Sequence, residues 1–204
     1  MTDKFLDKVY DVSGAEQTRA LYDDWAASYD AEVGDAGYAT PARTAQALAR
    51  DMADPAAPVL DFGCGTGLSG VALRAAGLAT IDGVDVSEEM LAEARVKGAY
   101  RALDRIGFDD DLADRRGRYA AVAAIGVIGS GAAPLAVFDR LMALLEPGGL
   151  FAFSFNDHTL EDPSYEGHVS EWTDTGAARL LVSDYGPHLP ARDLNSRVYV
   201  LAKT

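Results

Sequence analysis

The stretch Val59-Leu60-Asp61-Phe62-Gly63-Cys64-Gly65-Thr66-Gly67 decides how the rest of the chain is read. Apolar, β-prone residues run into alternating glycines, and a segment rich in small residues and Leu follows up to Gly77. That order predicts a buried strand, a tight turn and a helix start. Glycines at 63, 65 and 67 let the backbone turn sharply and let a ligand lie against bare peptide groups. The helix that follows offers free N–H groups and the positive end of its dipole. A nucleotide-like cofactor suits such a turn.

Two frames compete for these glycines. Gly65-Thr66-Gly67-Leu68-Ser69-Gly70 satisfies G-x-G-x-x-G, and Asp85 follows about 20 residues on, as in a dinucleotide site. The other frame is Asp61-x-Gly63-x-Gly65-x-Gly67, with a carboxylate at the strand's end. A carboxylate beside a pyrophosphate is repelled by it. The same carboxylate suits a cofactor carrying an ammonium and a sulfonium, so Asp61 tips the reading toward S-adenosylmethionine.

Working back from the turn, residues 54–58 break a helix expected over 40–52, where Pro41 takes the first helical position. Arg43 in its first turn reads as a surface residue or as a site for a ligand carboxylate. Residues 34–37 form a turn. Ser13 and Glu16 make a capping box that opens a helix through about residue 29. Leu21, Tyr22, Trp25 and Tyr29 share one face of it, either as a core stripe or as a roof over the cofactor, where an aromatic ring gains a cation–π contact with a sulfonium.

Working forward, the first sheet-covering helix ends at Gly77 and a second strand spans 80–86. Ser87 caps a helix that buries Met90, Leu91 and Ala94 and stops at Gly98. Asp85 stands at a strand's carboxyl end, where open α/β sheets bind ligands. A third strand covers 100–103 or extends through 106. Residues 119–126 form a near-continuous apolar run, as a central parallel strand does. A helix over 134–146 and a fifth strand over 150–155 follow. Residues 156–175 read as polar and irregular. Two strands, 178–185 and 197–202, close the chain with no helix between them, so they pair antiparallel.

Composition bounds the rest. The 204 residues fit one α/β domain, with a hydrophobic fraction of 49% and a charged fraction of 25%. A net charge of −14 disfavours nucleic acid and anionic membrane surfaces as partners. One cysteine excludes an internal disulfide and cysteine-based zinc sites, and no metal is expected. No apolar stretch approaches the length of a membrane span, and the N-terminus lacks a signal-peptide core. A cytoplasmic location is the expectation; the sequence is silent on oligomeric state.

These motifs resemble the class I S-adenosylmethionine-dependent methyltransferases. The resemblance is carried by residues 59–67, by Gly83-Val84-Asp85-Val86-Ser87 with Met90-Leu91, and by Leu145-Glu146-Pro147-Gly148-Gly149-Leu150. The run Tyr22-Asp23-Asp24-Trp25-Ala26-Ala27-Ser28-Tyr29-Asp30 is similar to small-molecule members. With Lys97-Gly98-x-Tyr100 and Gly126-Val127 it also resembles the Williams–Beuren-region methyltransferase-like group. The resemblance implies a Rossmann-like α/β fold: a seven-stranded, mostly parallel sheet in the order 3-2-1-4-5-7-6, its seventh strand antiparallel, with helices on both faces. Residues 58–204 would form this core and residues 1–57 a helical cap within a single domain.

The resemblance also implies roles. Asp61, Gly63 and Gly65, within the turn that includes Cys64, Thr66 and Gly67, hold the methionine end of the cofactor. Asp85 accepts from the ribose hydroxyls, and Val86, Met90 and Ile106 face adenine. Ile125 and Gly126 lie near the sulfonium, and Tyr22, Trp25 and Tyr29 close over it. Asp104 and Asp109 compete for the adenine amine, with Ile106-Gly107-Phe108 as a third occupant of that position. Where a histidine is frequent after the fourth strand, this chain has Gly129-Ser130-Gly131. His158, just past the fifth strand, is the candidate general base, ahead of His168 and His188. Cys64 is either a thiol activated by the helix start or simply small enough to fit. The expected activity is in-line methyl transfer to a small-molecule acceptor. A nicotinamide-dependent oxidoreductase and a non-catalytic cofactor-binding module are the alternatives.

Overall fold

The structure, a computed structural model, describes residues 15–129 and 132–204. Ser13 of the expected capping box lies outside them, as do Ser130 and Gly131 and the side chains of Glu16 and Tyr22. In chain order the elements are α1 (Ala15–Asp35), α2 (Thr40–Asp51), β1 (Val59–Phe62), α3 (Leu68–Ala75), β2 (Ile81–Asp85), α4 (Glu88–Lys97) and β3 (Ala102–Arg105). Then follow β4 (Ala121–Ala124), α5 (Ala136–Leu144), β5 (Leu150–Asn156), α6 (Asp157–Leu160), α7 (Pro163–Asp174), β6 (Ala178–Leu189) and β7 (Leu194–Lys203).

The strands form one sheet in the order β3-β2-β1-β4-β5-β7-β6. The first five pair in parallel, and β7 runs antiparallel to both β5 and β6. This is the seven-stranded Rossmann-like sheet expected from the sequence. Strand order reverses between β1 and β4, so their carboxyl ends open a crevice.

Alternation along the strands sorts the core into two layers. Val59, Ala123, Ala152 and Val200 face α2 and α3, where Ala45, Leu48 and Leu73 are fully buried. Leu60, Val122, Phe153 and Leu201 face α5, centred on Phe138. The Phe138 ring lies 5.0 Å from Phe151 and 5.2 Å from Phe153, both edge-on. Such pairs add about 0.5–1.5 kcal/mol each beyond their burial.

Several local readings change. The first helix continues to Asp35, past residue 29, because Val33 and Ala36 pack with Trp25 in a buried cluster that rewards another turn. Most of residues 156–175 is helical, in α6 and α7, not irregular. Asn156 caps α6 by accepting from Thr159 N–H, and Asp162 caps α7 by accepting from Ser164 N–H with Pro163 at its first position. Val169, Tyr165 and Trp172 bring α7 onto the Phe138 layer. The closing hairpin is longer than the two short strands expected, and Pro187 sits inside β6. An edge strand tolerates that proline.

Truncating Phe138 to Ala should cost about 3–5 kcal/mol of stability. Urea unfolding of Phe138→Ala measures it, and a change under about 1 kcal/mol would show that the aromatic layer is not the core's centre.

Candidate functional site

The site begins at the tip of β1. Gly63 and Cys64 both donate to Val84 O, at 2.8 and 3.1 Å, which bends the chain back over β2. Gly63 has a φ of +66°, and a Cβ there would stand 2.6 Å from both Val127 methyls, so only glycine fits. The position beside Gly65 is open on that side, leaving its peptide bare. The Gly65 N–H donates to Asp85 Oδ2 at 2.8 Å, and Ser87 N–H donates to Asp85 Oδ1 at 2.9 Å. Asp85 therefore ties the turn to the end of β2. Burial pushes its carboxyl above the usual range, against the pull of those two amides. A carboxylate has about four lone-pair sites, so acceptor capacity remains for a ligand.

Asp61 points the other way. By alternation it faces α3, beneath the turn, and it is fully buried. Ser69 Oγ and Tyr100 OH both donate to its Oδ2, at 2.6 and 2.7 Å, while Oδ1 has no hydrogen-bond partner among the described residues. Burial raises its pKa to about 6. Tyr100 OH also accepts from Gly70 N–H at 2.9 Å, joining the strand tip to the first turn of α3.

A cavity of about 510 Å³ opens above the turn. Of the side chains expected at a cofactor, Tyr29, Gly63, Cys64, Gly65, Thr66, Asp85, Val86, Met90, Ile106, Ile125 and Gly126 line it. Gly67 caps α3 just behind them, in a left-handed conformation. Asp61 does not line the cavity, and neither does Trp25. Trp25 is 2% exposed, packs with Val33, Ala36 and Leu189, and sets its ring against Tyr29 at 4.6 Å. It braces the residue that reaches the cavity. Of the competing acids after β3, Asp109 lines the cavity with Gly107 and Phe108, whereas Asp104 pairs with Arg115 at 2.7 Å.

The histidines stand elsewhere. His158 lies on α6, 4.0 Å from Glu161, and does not line the cavity. His168 bridges Asp139 and Glu171. His188 is buried against Thr40 Oγ1 at 2.8 Å, and burial pushes its pKa down to about 4. Thr40 thus serves His188 and Ser196 and makes no side-chain cap for α2. Arg43 is spent on the hairpin, bonding Pro187 O, Ser196 O and Asp184. Burial, together with Asp61 and Asp85, raises the Cys64 thiol well above its ordinary range, opposite to activation.

The sequence reading missed Tyr38, Pro41 and Arg140, all on the cavity wall. It also missed a clasp over the turn. Lys97 Nζ meets Asp30 Oδ2 and Thr66 O, each at 2.6 Å, and Thr66 Oγ1 donates to Asp30 Oδ1. Asp30 and Lys97 were in view only as parts of motifs, and nothing local pairs them. Among the described residues no group of three His, Cys, Asp or Glu is placed to hold a metal, and no helix is long and apolar enough to cross a membrane.

A parallel sheet that reverses at β1/β4, with a glycine turn and an acidic residue over the crevice, is the arrangement of the class I methyltransferases. The chain matches the Methyltransferase domain family over residues 35–198 and belongs to it. It is 34% identical to methyltransferase-like protein 27 of Homo sapiens over 133 residues, covering 64% of this chain and 54% of that protein. It is 33% identical to a ubiquinone biosynthesis O-methyltransferase of Xanthomonas campestris pv. campestris over 114 residues, 53% of this chain and 47% of that one. The chain thus spans about half the length of these relatives. In fold it is similar to a chain from the complex between the Haloferax volcanii Trm112 methyltransferase activator and a methyltransferase. The TM-score is 0.68 at 20% identity, covering 91% of this chain and 97% of the other. The resemblance to class I S-adenosylmethionine-dependent methyltransferases read from the sequence therefore holds.

The raised pKa of Asp61 makes a pH prediction. The folded state holds this proton up to about pH 6, whereas a free Asp releases it near 3.8. Stability from the protonated group is thus present at low pH and lost as pH rises through that window, by up to about 3 kcal/mol. Wild type should fall relative to Asp61→Asn in urea unfolding between pH 4 and pH 7. A pH-independent difference would show that the carboxyl titrates normally.

Proposed function

We propose that the protein is a methyltransferase that takes its methyl group from S-adenosylmethionine and delivers it to a small-molecule acceptor. The observation that carries this reading is Asp85, fixed to the bare glycine turn by the Gly65 N–H and still facing the cavity. A carboxylate so placed accepts two ribose hydroxyls in charge-assisted bonds. Val86, Met90, Ile106 and Phe108 offer apolar walls for adenine, and Asp109 an acceptor for its amine. The turn's amides suit the cofactor's carboxylate. Asp61, with one oxygen unpartnered beneath the turn, adds negative potential that suits an ammonium and opposes a pyrophosphate. Tyr29 closes the roof.

S-adenosylmethionine supplies a methyl already activated by its sulfonium leaving group. The chain's task is then to align two reactants and exclude water, which is worth about 7–11 kcal/mol when the geometry is right. A cavity of about 510 Å³ has the dimensions of a cofactor and a small acceptor. The acidic net charge of −14 favours a small acceptor over nucleic acid.

Titration calorimetry with S-adenosylhomocysteine tests the reading. Binding should appear, the ligand at 100 times its dissociation constant should add about 2.7 kcal/mol of stability, and Asp85→Asn should weaken binding about 10- to 100-fold. Stabilisation by a nicotinamide dinucleotide alone, or no heat at millimolar ligand, would overturn it.

A further inference from the structure

Beyond the residues that hold a cofactor, one side chain reaches the place where a methyl group would leave. Tyr38 lies in the loop between α1 and α2 and lines the cavity with Pro41. Its hydroxyl oxygen rests on the bare Cα of Gly126, just past β4: a Cβ on Gly126 would stand 2.5 Å from it. The cavity runs from Asp85 at the tip of β2, across the turn after β1, to Gly126 just past β4. On the cofactor reading above, with the ribose at Asp85, the sulfur and its methyl lie on the β4 side of the turn, toward Gly126.

The phenol is held there by the far end of the molecule. Tyr38 N–H donates to Val33 O at 3.1 Å, and the next amide, Ala39 N–H, donates to His188 O at 2.9 Å. The His188 ring meets the Tyr38 ring edge-on at 5.3 Å and is itself fixed through Thr40 Oγ1, which also bonds Ser196 Oγ at 2.8 Å. Ala191 N–H donates to Ala36 O at 3.2 Å, so the tip of the β6–β7 hairpin clamps the whole loop. A side chain braced by packing and by hydrogen bonds behind it is preorganised for a ligand in front.

Resting on the cofactor reading above, we propose that Tyr38 is a catalytic residue whose hydroxyl oxygen faces the sulfonium and its methyl group. A hydroxyl oxygen carries two lone pairs. Directed at a methyl made positive by its sulfonium, it holds the carbon by ion–dipole and C–H···O attraction. Positive charge on the methyl hydrogens grows as the carbon flattens between donor and acceptor, so the contact strengthens in the transition state. The Tyr38 proton stays on its oxygen throughout, and no bond to the protein forms.

The contact exists only with the charged, methylated form, which gives a test that needs no acceptor. Wild type and Tyr38→Phe are titrated by calorimetry with S-adenosylmethionine and, separately, with S-adenosylhomocysteine. The variant should bind S-adenosylmethionine about three- to tenfold more weakly, and S-adenosylhomocysteine within about twofold of wild type. The unchanged second ligand also reports an intact fold. Equal losses for both ligands, or no loss for either, would overturn the role of Tyr38 and leave the cofactor reading standing. Wild type binding neither ligand would sink both.

Discussion

The hydrogen bond from Tyr100 to Asp61 holds the functional end of the sheet in shape. A fully buried carboxylate is costly unless donors compensate it, and here Ser69 and Tyr100 converge on one oxygen. Tyr100 accepts at the same time from Gly70 N–H, so one phenol joins β1 to the start of α3. Room for that ring constrains distant positions. A Cβ at Gly70 would lie 2.2 Å from it, and one at Gly83 2.9 Å. Residues 61, 70, 83 and 100 thus form one unit, and the glycine turn is strung across it.

A second tie works from outside. Lys97 and Thr66 engage Asp30, so α1 is fastened to the turn that its own Tyr29 helps to roof. Asp30 is 40% exposed, so its pair with Lys97 is partly screened and contributes modestly to stability. Its effect is directional: it sets where α1 lies over the cavity. Trp25, buried behind Tyr29, gives the same placement a hydrophobic backing.

What was legible in the sequence was what local chemistry specifies. The glycine turn, the apolar run of β4, the Ser87 cap and Asp85 at its strand end all follow from residues within a few positions of one another. The direction of Asp61 was open to strand alternation, yet its motif suggested a ligand contact, and the structure sets it beneath the turn. Trp25 and Tyr29 are four residues apart on one helix, and only packing with Leu189, far along the chain, decides which is core and which reaches the cavity. The Asp162-Pro163 start of α7 was readable but was masked by a polar, exposed helix surface. His158 was placed by its position after β5, and the cap of α6 on Asn156 takes it along a helix away from the cavity wall. Tyr38 carries no local signal at all, because its position is made by the hairpin.

The charge distribution also bears on Cys64. This thiol lines the cavity in the middle of the turn, and a thiolate there would be a strong nucleophile facing whatever the cavity holds. Burial and the charges of Asp61 and Asp85 push its pKa well up and keep it protonated. The acidic groups that favour a cationic ligand on the proposed reading therefore also help burial to keep this thiol protonated. A basic residue at either position would work against both effects: it would repel a sulfonium and lower the thiol's pKa, although the burial that chiefly raises it would remain. On the proposed cofactor reading, the acidic pair flanking the turn is constrained twice, once by the ligand and once by the thiol.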